Sequence, residues 1–147
     1  SNGYSLARKI CADLDLSQRH GLEQPLGHLL LSPTKIYVRQ CLQLHKSGAH
    51  AFAHITGGGL LDNIPRVLPV GTTARLQRSA WKQPSIFSLL EERGKLSSTD
   101  MYRTFNCGIG MVAIVPPSLS NEAESLGAVF LGRVEVSDSE EASVHIV

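Results

Sequence analysis

No stretch of this 147-residue chain approaches the ~20 consecutive apolar residues that a membrane-spanning helix needs, and no secretory leader is visible. Neither sign of charge is in surplus: 14 Lys and Arg stand against 13 Asp and Glu, a formal net charge of +1. The basic residues are scattered, which argues against a nucleic-acid face or an electrostatic funnel for acidic substrates. Aromatic residues make up 5% of the chain, too few for a platform on which bases stack. Cysteine is scarce and odd in number; Cys11, Cys41 and Cys107 show no CxxC spacing. Free thiols in a reducing compartment are the plain reading, and a cytoplasmic protein is expected. The phosphate-binding pattern GxxxxGK(S/T) and the dinucleotide pattern GxGxxG are both missing. Internal repeats and low-complexity segments are absent as well. The initiator methionine is also lacking: the chain opens SNGYSLARKI, a loop entering a helix. That start suits a piece of a longer protein, or Ser-Asn left by an expression tag.

What is present is the length of one domain able to bury a core, and one run of unusual local chemistry, HITGGGLLDNIPRVLP from His54 to Pro69. A short apolar strand over 51–55 stops at Gly57, Gly58 and Gly59, and an amphipathic turn over 60–64 follows until Pro65 ends it. Strand, glycines and helix start bring bare backbone N–H groups close to an anion. Three glycines allow positive φ and leave no Cβ in a ligand's way. Thr56 adds a hydroxyl, and Arg66 a cation able to fork onto phosphate or carboxylate. The segment is either a phosphate-handling loop or a tight structural turn, and the glycines alone do not choose. Arg66 either supplies charge or pins the loop by hydrogen bonds to carbonyls. On the loop reading, Gly58→Ala is expected to weaken substrate binding and leave the fold largely intact.

Elsewhere the pattern predicts helices over 4–13, from Pro33 and Thr34 to a Gly48 cap, over 85–94, from a Ser98 to Asp100 cap through the 102–105 region, and more weakly over 118–126. The stretch 15–27 reads as loop. Strands are predicted over 51–55, 73–77 and 111–115, with 130–136 and 143–147 as a final antiparallel pair around the turn SDSEE. Short strands mixed with helices, without strict alternation, predict an α+β fold: helices packed on a mostly antiparallel mixed sheet.

Other chemistry is thinner. His50 and His54 lie four apart with no Cys, Asp or Glu at ligand spacing, so no metal site is expected. His54, at a strand end before the glycines, is a ligand contact or a structural histidine; His20, His28, His45 and His145 read as surface. Cys107 has no visible partner base or nucleophile elbow and reads as a small buried residue near a turn. Asn106, an amide at a strand entrance beside glycines, is a fair ligand contact. Asp62 and Asn63 are the exposed face of the short helix, or reach a ribose or amine. Arg103 sits on a helix surface or turns toward an anion. No general base stands out.

Taken together, HITGGGLLDNIPRVLP, MYRTFNCGIGMV, SNGYSL and PTKIYV resemble the C-terminal domain of the phosphoribosylformylglycinamidine cyclo-ligases, also called aminoimidazole ribonucleotide synthetases. The likeness covers nearly the whole chain and is weakest after Pro117. It implies that domain's α+β fold. It also implies an ATP-dependent closure of the imidazole ring of formylglycinamidine ribonucleotide in purine biosynthesis, giving aminoimidazole ribonucleotide, ADP and phosphate. An N-terminal domain, absent from this chain, would hold most of the ATP and Mg²⁺ and the homodimer contact. This single domain, 1–147, would face it across a cleft. Carried over residue by residue, Ser1 and Asn2 would stand at the cleft entrance. His54, Thr56, Gly57, Gly58 and Gly59 would line it, with Asn63, Arg66 and Asn106 close by. Sister enzymes of the same architecture, such as formylglycinamidine ribonucleotide synthetase or thiamine-monophosphate kinase, are the alternative, as is a non-catalytic assembly module.

Overall fold

The computed structural model describes residues 2–147. Its helices are α1 (Tyr4–Ile10), α2 (Leu26–Leu30), α3 (Val38–Ser47), α4 (Gly59–Asn63), α5 (Ser85–Gly94), α6 (Ser98–Thr104) and α7 (Ser120–Ser125). Its strands are β1 (Ala51–His54), β2 (Thr72–Leu76), β3 (Met111–Ile114), β4 (Gly132–Val136) and β5 (Ser143–Ile146). The class is α+β. The strands form two small sheets instead of one: β1 pairs antiparallel with β3, and β2 lies between an antiparallel β4 and a parallel β5.

The predicted hairpin of the last two strands is therefore wrong. Both β4 and β5 are edges, and β2 separates them. Burial explains the order: Thr73, Ala74 and Leu76 of β2 are buried, whereas β4 leaves Val136 91% exposed. The strand with the most side chain to hide takes the centre, and the chain crosses over it through 137–142. The register is secured where Thr73 meets Ser143, their hydroxyls 2.7 Å apart.

Two further differences bear on the site. The end of the stretch expected to be loop is the start of α2, anchored by the fully buried Leu26 behind Pro25. Proline's fixed φ suits the residue preceding a helical turn. Conversely, Pro33 and Thr34 do not open α3, which begins at Val38, so an exposed irregular arm runs over 32–37.

The core has two parts. One, beneath the sheets, contains Ile55, Leu60, Ile64, Leu76, Trp81 and Val112. The other, among the helices, contains Ala7, Leu26, Leu90, Met101, Phe105 and Cys107, with Phe87 and Phe105 rings 5.9 Å apart. Tyr102 of α6 touches both. Leu60 of α4 and Met101 of α6 are among the most deeply buried side chains, each contributing about 1.5–3 kcal/mol. Among the described residues no helix is long and apolar enough to cross a membrane.

Candidate functional site

The pairing of β1 with β3 builds the site. His54 lies opposite Met111, and Ile55 N–H donates to Gly110 O at 3.0 Å. The glycine loop leaving β1 and the Asn106–Gly110 loop entering β3 thus emerge side by side. α6 ends at the same place. Asn2 Nδ2 donates to Thr104 O at 2.5 Å, and Gly59 lies so close to α6 that a Cβ there would meet Tyr102 O at 2.0 Å and Phe105 O at 2.8 Å.

The three glycines have different jobs. Gly58 and Gly59 have φ of +93° and +58°, the left-handed region that disfavours any side chain. A Cβ on Gly58 would also meet Asp62 Cβ at 2.6 Å. The expectation that Gly58→Ala spares the fold therefore does not hold. Gly57 is exposed, its φ is not positive, and a Cβ there would meet nothing within 4 Å. Among the described residues, no backbone bond uses the N–H of Gly57 or Gly58, whereas Gly59 N–H donates to Thr56 O at 2.9 Å.

Asn63 is buried, not an exposed face. Its Nδ2 donates to Gly59 O at 2.8 Å and Gly57 O at 3.0 Å, with Thr56 O further off at 3.4 Å. An amide has two N–H groups, so the two short bonds use both and the long one is a shared, weak contact. Its Oδ1 accepts from Arg66 Nη1 at 3.3 Å. Arg66 thus pins the loop through Asn63 rather than through carbonyls directly. Arg103 does turn toward the loop: its Nε lies 3.7 Å from Asp62 Oδ1, both side chains largely exposed. Worth little in stability at that exposure, the pair offsets the carboxylate beside Gly58.

The neighbouring loop is held from behind. Trp81 Nε1 donates to Cys107 O at 3.1 Å. Arg78 lies over the Trp81 ring, 5.1 Å from its centroid, and donates to Trp81 O at 3.2 Å and to Gln83 Oε1 at 3.3 Å. Asn106 Oδ1 accepts from Gly108 N–H at 3.1 Å, closing a small turn in which Cys107 takes a φ of +50°. Cys107 is fully buried, and burial pushes its thiol up to about 12. A thiol so seldom ionised is not a nucleophile. Sequence reasoning passed over Arg78 and Trp81; the chain's single tryptophan was the available signal.

A cavity of about 320 Å³ gathers Asn2, His54 and Asn106, with Lys35 and Tyr37 of the 32–37 arm, against a wall including Phe87 and Phe105. Thr56, Gly57, Gly58 and Gly59 adjoin His54 along the chain but do not line it. A larger hollow of about 1100 Å³ with mostly apolar walls lies on the other side of the same arm, sharing Lys35, Tyr37 and Gly110 with the smaller cavity. The smaller cavity has the convergent polar groups that mark a binding site. The expected site residues thus fall into a cavity set (Asn2, His54, Asn106) and a loop set (Thr56, Gly57, Gly58, Gly59, Asn63, Arg66). Ser1 lies outside the described residues.

The profile of the family described as AIR synthase related protein, C-terminal domain, matches residues 1–145. This chain belongs to that family. Among its relatives, a phosphoribosylformylglycinamidine cyclo-ligase of Bordetella petrii is 45% identical over 144 residues, covering 92% of this chain and 39% of the relative. One of Magnetococcus marinus is 49% identical over 129 residues, covering 84% of this chain and 36% of the relative. This AIR synthase-related domain therefore spans less than two fifths of the length of the relatives it matches.

Proposed function

We propose that this chain is the substrate-side domain of an ATP-dependent cyclo-ligase that closes the imidazole ring of formylglycinamidine ribonucleotide, yielding aminoimidazole ribonucleotide, ADP and phosphate. One observation carries the reading: in a chain of this family, β1–β3 pairing sets the glycine loop and the Asn106 loop together beside a polar-ended cavity. The names of the Bordetella and Magnetococcus relatives support it.

In this reading Thr56, Gly57 and Gly58 present a hydroxyl and two N–H groups to a phosphate, while Gly59 and Asn63 fix their geometry and Arg66 holds Asn63. His54, Asn106 and Asn2 orient the ribonucleotide in the cavity. Positioning dominates such chemistry, because holding the amidine nitrogen against the activated formyl carbon removes the entropy of a chance encounter. ATP would supply the activating phosphoryl group, and Mg²⁺ would neutralise its charge. Among the described residues no cluster of three or more His, Cys, Asp or Glu could hold a metal ion. ATP, Mg²⁺ and the homodimer contact are assigned to an N-terminal domain facing this one, in a cytoplasmic enzyme.

The test is ATP-dependent formation of aminoimidazole ribonucleotide by this chain alone and joined to its upstream domain. Turnover only in the joined form is expected. No turnover by a folded joined protein would point instead to a sister enzyme or an assembly module.

A further inference from the structure

Both arginines near the glycine loop are engaged, Arg66 on Asn63 and Arg103 on Asp62. The cavity lined by His54 and Asn106 is bordered by a further cation, Lys35, at the edge it shares with the larger hollow. Among the described residues lining the smaller cavity, no Asp or Glu occurs, and Lys35 is the one permanent charge. No ion pair of the described residues involves Lys35.

The arm carrying Lys35 is fixed to the site. Lys35 Nζ lies 5.6 Å from the Tyr37 ring centroid, and the Tyr37 hydroxyl seats so tightly on Gly110 that a Cβ there would come within 2.2 Å of it. Gly110 in turn accepts from Ile55, next in sequence to His54. The arm, the Asn106 loop and the end of β1 are thus one assembly. Facing this polar end, Leu29, Leu30, Ile86 and Phe87 form an apolar wall. Such a cavity suits a ligand with an anionic head and an uncharged body.

We infer that Lys35 is an anion-binding residue and that the cavity takes a sugar phosphate monoester. The phosphate meets Lys35, and the sugar and its base run toward the apolar wall. That the body is a ribonucleotide rests on the cyclo-ligase reading; the anion point rests on Lys35 bordering a cavity whose described lining holds no Asp or Glu. The proposed reaction handles two phosphates, the ribonucleotide's own and the one leaving ATP. A cavity that Thr56, Gly57, Gly58 and Gly59 do not line gives them separate places, with the glycine loop free for the phosphoryl group in transfer.

The experiment is a titration of the ¹⁵N-labelled 147-residue chain with ribose 5-phosphate, inorganic phosphate and adenosine. Native chain, Lys35→Met and Lys35→Arg are compared. Lys35→Met keeps the aliphatic stem at an exposed position, so the fold is retained. Expected are shifts at Tyr37, His54, Asn106 and Gly110 with ribose 5-phosphate. The dissociation constant should rise about tenfold or more in Lys35→Met, as for loss of a charge-assisted bond, and recover in Lys35→Arg. Adenosine, lacking the anion, should not respond to the substitution. Shifts confined to Gly57, Gly58 and Gly59, indifferent to Lys35→Met, would overturn the inference and leave the glycine-loop reading standing. So would inorganic phosphate binding as tightly as the ester, because the apolar wall would then hold nothing. No shift with any phosphate would also overturn it, and the cyclo-ligase reading would then be judged by turnover alone.

Discussion

Asn63 shows how one side chain decides what a loop can do. It satisfies two carbonyls of the glycine turn and accepts from Arg66, so its loss strands buried acceptors. Asn63→Ala should cost about 1–3 kcal/mol, read as a lower melting temperature, and Arg66→Met much less; equal losses would contradict this hierarchy. The glycines order themselves by geometry. Gly58→Ala should cost about 1–2 kcal/mol for the left-handed backbone alone, and Gly59→Ala more, because carbonyl oxygens of α6 occupy the space. Gly57→Ala should leave stability unchanged and lower substrate affinity, since only a ligand would meet its Cβ. An unchanged affinity would make the loop a structural turn. At Cys107 the thiol is held up near 12 by burial, so alkylation of the native chain at pH 8 should label the half-buried Cys41 and spare Cys107. A thiol whose pKa is raised on folding favours the folded state only while protonated, so this contribution fades above the ordinary cysteine value of 9.0.

Among the elements, α6 is the most completely specified from its own residues. The Ser97 hydroxyl accepts from Asp100 N–H at 3.1 Å and the Asp100 carboxylate from Ser97 N–H at 3.1 Å, a reciprocal cap. The Ser97 hydroxyl also holds the Asp100 carboxyl below its ordinary 3.8. The cap therefore supports the fold above that pH and fades as pH falls through the lowered value. Ser97→Ala should cost about 1 kcal/mol at neutral pH and flatten the stability curve on its acid side. An unchanged acid limb would contradict this. Such local devices are what the sequence made legible: the strand before the glycines, the β3 run after Asn106 and the body of α5 all lie where periodicity and breakers put them. The order β4–β2–β5 was not legible, because the spacing of 130–136 and 143–147 suits a hairpin and only the burial of Ala74 and Leu76 places β2 between them. The arm over 32–37 was missed for a related reason. Pro33 and Thr34 carry a helix-start signal, but Tyr37 is committed to Gly110, and tertiary contact overrides the local preference. Of the candidate site, the proximity of the glycine loop and the Asn106 loop follows from the two strands the sequence marked, but the separation of their residues into cavity and loop sets was not legible. It depends on where α6 ends and on Asn63 turning inward.

Viewed entire, the molecule is a layer of helices and two small sheets joined through α4 and α6, with the candidate site at that junction. Stability and binding geometry therefore share residues: Gly59, Tyr102 and Phe105 hold the core and set the loop. Variants there should lose both together, whereas His54, on the cavity rim, should separate them. The decisive experiment is steady-state kinetics of the joined two-domain protein carrying His54→Ala or Asn106→Ala, with KM measured for formylglycinamidine ribonucleotide and for ATP. Expected is a rise of about tenfold or more in the ribonucleotide KM, the ATP KM changing by less than about twofold, with an unaltered melting temperature in His54→Ala. A rise in the ATP KM alone, or no change in either, would contradict the assignment of this domain to the ribonucleotide.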